Sequence, residues 1–137
     1  MKLKVEKDLI LVIGEDGEKY EEILKGLKES PETPETMVVL SAAGMVRKVK
    51  LGFWTGKEYE IHEFSDPAEL LAISGMISKI ADPFFHFHVV IGTADGKAAG
   101  GHLLEATVHN TLELFLLGSS IKLVRKPRMG LKLLDFE

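Results

Sequence analysis

Residues 84–117 read FFHFHVVIGTADGKAAGGHLLEATVHNTLELFLL. Two apolar runs rich in β-formers flank the turn-prone Thr93-Ala-Asp-Gly96, a pattern that predicts an antiparallel hairpin. Three of the five histidines fall in the first nineteen residues of this stretch. Side chains at i and i+2 of a strand share a face. His86 and His88 therefore project together, with Phe85, Phe87 and Val89 opposite. A hairpin about Thr93–Gly96 brings His102 back towards them. Gly100 and Gly101 remove side chains where another backbone or a ligand comes close.

A His-X-His pair alone is more often exposed or hydrogen-bonded than metal-binding. A third histidine, returned by a turn and preceded by Gly-Gly, completes a ligand set of the size that zinc uses. His62 and His109 lack such company and read as ordinary surface or half-buried histidines.

Outward from the hairpin, the chain reads as its scaffold. Asp8–Ile13 is a short continuous apolar run and predicts a strand buried on both faces. After the turn at Gly14–Gly17, Tyr20, Ile23, Leu24 and Leu27 recur at i, i+3, i+4, i+7 and predict an amphipathic helix that stops at Ser30-Pro31. Met37–Ala43 and Met45–Leu51 read as strands separated by Gly44. Thr55-Gly56-Lys57 reads as a turn joining Leu51–Trp54 to Tyr59–Phe64. Ser65-Asp66-Pro67 suits one helical turn before a strand over Leu70–Ile77. The segments Leu40-Ser-Ala-Ala-Gly-Met-Val46 and Ala72-Ile-Ser-Gly-Met-Ile77 are loosely alike, each with a serine shortly before Gly-Met. A β-rich single domain over residues 1–137 with one main helix is the expectation.

Bulk properties narrow the function classes. The 137-residue chain is 45% hydrophobic and 28% charged, an ordinary globular composition. Its net charge of −4 speaks against the whole-domain electropositive footprint of a nucleic-acid binder. It has no cysteine, so any metal is held by nitrogen and oxygen ligands. No apolar run reaches the length of a membrane span, and MKLKVEKD lacks the apolar core of a signal peptide. A cytoplasmic location without membrane association is the expectation.

The combination of His86-Phe-His88, Asp95-Gly96, Gly100-Gly-His-Leu103 and Thr107-Val-His-Asn-Thr-Leu-Glu113 resembles the PPC (plant and prokaryote conserved) domain. The likeness extends to Leu40-Ser-Ala-Ala-Gly44, to Glu69-Leu-Leu-Ala-Ile-Ser-Gly75 and to Arg125. Plants carry this domain in AT-hook nuclear proteins, whereas bacteria and archaea carry it alone. The resemblance implies an α+β fold with a largely antiparallel sheet and one main helix, a homotrimer, and a metal site at His86, His88 and His102, with zinc or another divalent transition metal as the cofactor. The fold is also similar to that of acetolactate decarboxylase, whose zinc is held by three histidines; that analogy transfers no activity. The chain lacks the Arg-Gly-Arg-Pro core of an AT-hook and has Asp66-Pro-Ala-Glu-Leu-Leu71 where the plant proteins have Gly-Arg-Phe-Glu-Ile-Leu.

Three functions compete. The first is a metal-binding domain of unassigned role. The second is a zinc-dependent lyase or hydrolase acting on a small oxygen-rich molecule, because three histidines leave a fourth position open. The third is a DNA-associated regulatory module. Glu113, the one charge in an apolar strand, reads as a partner of Arg125, or else as a group that orients a ligand histidine or serves as a general base. Glu105 reads as solvent-facing, and Arg125-Lys126-Pro-Arg128 as a solvated strand end.

Overall fold

The computed structural model describes residues 1–137. The apolar stripe of the predicted helix is the element most directly legible in the sequence. Helix α1 spans Tyr20–Glu29, and Tyr20, Ile23, Leu24 and Leu27 are all buried. Glu21 and Glu22 lie in its first turn and Lys28 in its last, the order that complements the helix dipole. Its C-terminal end is closed from outside. Thr33 Oγ1 donates to the Leu27 carbonyl at 2.6 Å, and the Lys79 ammonium donates to the carbonyls of Ser30 at 2.9 Å and Thr33 at 2.6 Å.

Nine strands make up the rest: β1 Lys2–Glu6, β2 Leu9–Glu15, β3 Thr36–Trp54, β4 Tyr59–Phe64, β5 Ala68–Ser78, β6 Phe85–Gly92, β7 Ala98–Ser119, β8 Leu123–Arg128 and β9 Leu131–Phe136. The first seven form one antiparallel sheet in the order β1-β2-β7-β6-β5-β3-β4. β3 also pairs with β7, so β3, β5, β6 and β7 form a closed circuit of strands. A two-stranded sheet, β8-β9, stands apart from it. The fold is α+β and mostly antiparallel, as the sequence indicates. No helix is long and apolar enough to cross a membrane.

The circuit closes because β3 and β7 are long and bent. They run for 19 and 22 residues, and their mutual register shifts at Val39/Ser41, Gly44/Met45 and Arg47/Lys50. Such bulges add local twist and turn a strand out of plane. Lys48 and Asn110, at φ 51° and 65°, sit at these irregularities. Gly44 is thus a bend within one strand, where the sequence suggested a break between two.

Two other expectations change. β2 is buried on one face only: Ile10, Val12 and Gly14 are buried, while Leu9 and Ile13 are exposed. Ser65-Asp66-Pro67 forms no helical turn and leads directly into β5, since a residue before proline is driven towards extended backbone. The two Gly-Met segments do share a geometry: Gly44 and Gly75 have φ of 133° and 134°. In both places the neighbouring strand's carbonyl, Thr111 or His86, occupies the space a Cβ would need.

A cluster of 22 buried apolar residues joins α1 to the sheet. Tyr20 packs edge-on to Phe85 and Phe87 at 6.0 and 5.6 Å. These contacts hold the inner face of β6, and so determine what its outer face presents.

Candidate metal centre

That outer face carries the histidines. Phe87 and Val89 are buried on the core side, while His86 is half-buried and His88 exposed on the other. The β6–β7 turn is closed by hydrogen bonds from Thr93 N–H to Lys97 O at 2.8 Å and from Gly96 N–H to Thr93 O at 2.9 Å. Its register sets His102 directly opposite His88, and on the other edge of β7 His102 faces Gly52. A Cβ on Gly101 would lie 3.0 Å from the Gly52 carbonyl oxygen, and one on Gly100 3.1 Å from that of Val89. The paired glycines therefore let three strands close tightly around His102.

One ligand nitrogen from each of His86, His88 and His102 lies within 4.8 Å of the other two. The Nε2 atoms of His86 and His88 are 3.1 Å apart. Two imidazole nitrogens on one tetrahedral zinc, each at about 2.0–2.1 Å, stand roughly 3.3 Å apart, so the pair is spaced for one shared ion. Nδ1 of His102 is buried without a hydrogen-bond partner, a state native structures rarely leave without a role. The His102 ring stacks on Tyr59 at 4.9 Å and 20°, and Tyr59 meets Trp54 edge-on at 5.2 Å. The donor set fits a divalent transition metal.

The three rings form the floor of a cleft of about 930 Å³. Its walls are the β3–β4 hairpin from Gly52 to Tyr59, strands β5 and β6, and the β8–β9 hairpin. Burial, then the neighbouring rings of His102 and His88, then Arg125, push the His86 pKa down to about 4, and burial also lowers that of His102. In metal-free protein the folded state then binds fewer protons than the unfolded chain, whose imidazoles titrate near their ordinary value of 6.5. The sign follows: the stabilising contribution is complete above pH 6.5 and is lost as pH falls towards 4. Urea unfolding of chelator-treated protein at about pH 7.5 and 5 is expected to show this loss, and a His86→Asn variant to show a smaller one.

A family model for the Plants and Prokaryotes Conserved (PCC) domain matches residues 6–119. The chain belongs to the PCC family. No curated protein matches it significantly. Among solved structures, a plant- and prokaryote-conserved protein from Pyrococcus horikoshii is 28% identical with a TM-score of 0.81, over 98% of this chain and 93% of its own. A metal-containing protein from Archaeoglobus fulgidus is 32% identical with a TM-score of 0.79, over 96% and 95%. A candidate DNA-binding protein from Bacteroides thetaiotaomicron is 21% identical with a TM-score of 0.88, over 98% and 96%. At that identity the likeness is one of fold.

Within this PCC chain the remaining candidates sort plainly. His62 is exposed and pairs with Glu60 at 3.3 Å. His109 contacts the Arg47 guanidinium at 3.0 Å, beside an Asp16–Arg47 ion pair of 2.8 Å. Glu105 is exposed and pairs with Lys50 at 3.4 Å. Glu113 is exposed on the face of Phe115, in register with Ile13 and Ala43, and does not line the cleft. It neither orients a cleft histidine nor pairs with Arg125 within the chain. Arg125 itself departs most from expectation. The run from Arg125 to Arg128 is solvated at Lys126 and Arg128, but Arg125 turns into the cleft, and its charge acts on both His86 and His102.

Proposed function

We propose that this chain is a metal-binding PCC protein in which His86, His88 and His102 hold one divalent cation, with zinc as the ion. The observation that carries the reading is the convergence of three imidazole nitrogens at the floor of an accessible cleft with no acidic side chain among its lining residues. The metal-containing relative at 32% identity supports it. Zinc held by three nitrogens would supply Lewis acidity to an oxygen ligand at its remaining position. The chain's own part is to orient the rings through the β6–β7 register and the Tyr59 stack, and to screen them with the apolar cleft walls. Metal analysis of purified protein is expected to give one ion per chain, and a His86→Ala/His88→Ala variant to give none. Full retention in that variant removes these residues from the ligand set.

The absence of a carboxylate from the cleft favours ligand binding over hydrolysis with an internal general base. A DNA-associated role, raised by relatives described as candidate DNA-binding proteins, is disfavoured by the net charge of −4.

Self-association into a trimer is part of the same reading. Leu117 on the outer sheet face is flanked in register by Leu9 and Val38, and all three are exposed. Leu40, Phe115 and Ile13 widen this apolar patch, which suits a second copy of the chain. Light scattering is expected to give three times the chain mass, falling in a Leu117→Glu variant.

A further inference from the structure

Arg125 reaches the cleft through long-range anchoring. Thr36 and Ser78 face each other in the β3–β5 ladder and are almost fully buried. Their hydroxyls donate to the carbonyls of Ile121 and Leu123, each at 2.6 Å. The backbone is thereby pinned two residues before Arg125. β5 also presents Met76 opposite His86, and the Arg125 guanidinium lies against the Met76 sulfur at 3.8 Å.

The guanidinium is poorly satisfied for its position. Its Nε is buried without a partner. Its other contact is a long 3.4 Å bond to the Lys132 carbonyl. A half-buried cation is often matched by a carboxylate. The chain has 21 acidic residues, yet none is among the 23 that line the cleft. Arg125 is thus the unmatched charge of the cleft, since Lys132 pairs with Asp82 at 3.6 Å.

The rest of the lining narrows the anion. Phe53, Trp54, Leu131 and Leu133 supply apolar wall, and 12 of the 23 lining residues are hydrophobic. No residue of α1 is among them, so the cleft lacks the helix N-terminus that often receives phosphate. One planar guanidinium matches one planar carboxylate, and apolar walls match a hydrocarbon or aryl body.

We propose that the cleft binds small organic carboxylates, with the carboxylate held between the Arg125 guanidinium and the three-histidine centre and the apolar body lying against Trp54 and Leu131. The inference builds on the metal reading at one end of the ligand, whereas Arg125 is independent of it. Trp54 is the only tryptophan and lines the cleft, so its fluorescence reports occupancy directly. The experiment titrates benzoate, hexanoate, the neutral benzamide and inorganic phosphate into the full chain as purified, with metal content measured alongside. Saturable fluorescence changes are expected with benzoate or hexanoate, and weaker or none with benzamide and phosphate. Arg125→Gln is expected to weaken carboxylate binding about tenfold or more, as loss of a charge-assisted contact does, with metal content unchanged, and Arg125→Lys to restore part of it.

The proposal is overturned if no carboxylate saturates the signal, if benzamide or phosphate binds as well as benzoate, or if Arg125→Gln binds benzoate undiminished. The comparison of benzoate with benzamide uses the unaltered protein and stands even if the Arg125 variants fold poorly. Arg125-dependent carboxylate binding in protein that holds no metal would sink the metal reading and leave this one standing. Bound metal with charge-indifferent ligands would do the reverse.

Discussion

Replacing Gly75 by alanine is expected to destabilise the fold by about 2–4 kcal/mol and to impair metal retention in the same variant. The first effect has two sources. At φ 134° the backbone lies where side-chain-bearing residues are strained. The added Cβ would also run into the His86 carbonyl oxygen and come within 2.6 Å of Phe87 Cδ1. Neither obstacle is the far end of a flexible side chain. Relief therefore requires β5 and β6 to separate, and the residues flanking Gly75 pair directly with both histidines of β6, Met76 with His86 and Ser74 with His88. Gly44→Ala is the matched control. It has the same φ and a similar collision, with the Thr111 carbonyl, in a part of the β3–β7 ladder where no cleft histidine lies. Similar loss of stability is expected in urea unfolding of the two variants, with metal retained per folded chain only in Gly44→Ala. Equal metal retention in both would show that the β5–β6 spacing does not set the site.

What the sequence discloses depends on the range of the interaction involved. The period of two along Phe85–Val89 is a local property, and so is the helix stripe from Tyr20 to Leu27; both survive into the structure. The approach of His102 to His88 is legible because one short turn sets the register. Arg125 has no such local signal. Within Arg125-Lys126-Pro-Arg128 it looks like its neighbours, and it is singled out by Thr36 and Ser78, which anchor residues 85 and 45 positions away. The closed strand circuit is equally non-local. It depends on bulges at Lys48 and Asn110, and only asparagine among these hints at positive φ. β1 carries alternating Leu3 and Val5, but three charged residues among its five obscure the pattern. As an edge strand it uses that charge to discourage further pairing.

Loss of His102 alone is expected to abolish most of the stabilisation that metal confers. In the proposed centre His102 is the ligand that only the hairpin would supply: His86 and His88 sit on one strand, and two imidazoles leave a zinc site unclosed. It is also the most constrained of the three, lying opposite His88 on one edge of β7 and Gly52 on the other, with Tyr59 stacked on its ring. Metal at a hundred times its dissociation constant stabilises the native state by about 2.7 kcal/mol. If His102→Ala weakens affinity about a hundredfold, the same concentration leaves only about 0.4 kcal/mol. The metal-induced rise in Tm should therefore nearly vanish, while the Tm measured with chelator changes little beyond the loss of the Tyr59 stack. His62→Ala and His109→Ala are the controls, because His62 pairs with Glu60 and His109 contacts Arg47, outside the cleft lining. Both should keep the full metal-dependent shift. A full shift in His102→Ala would mean that the ion is held elsewhere. A shift lost in all three variants would mean that metal acts through histidines generally and not through this constellation.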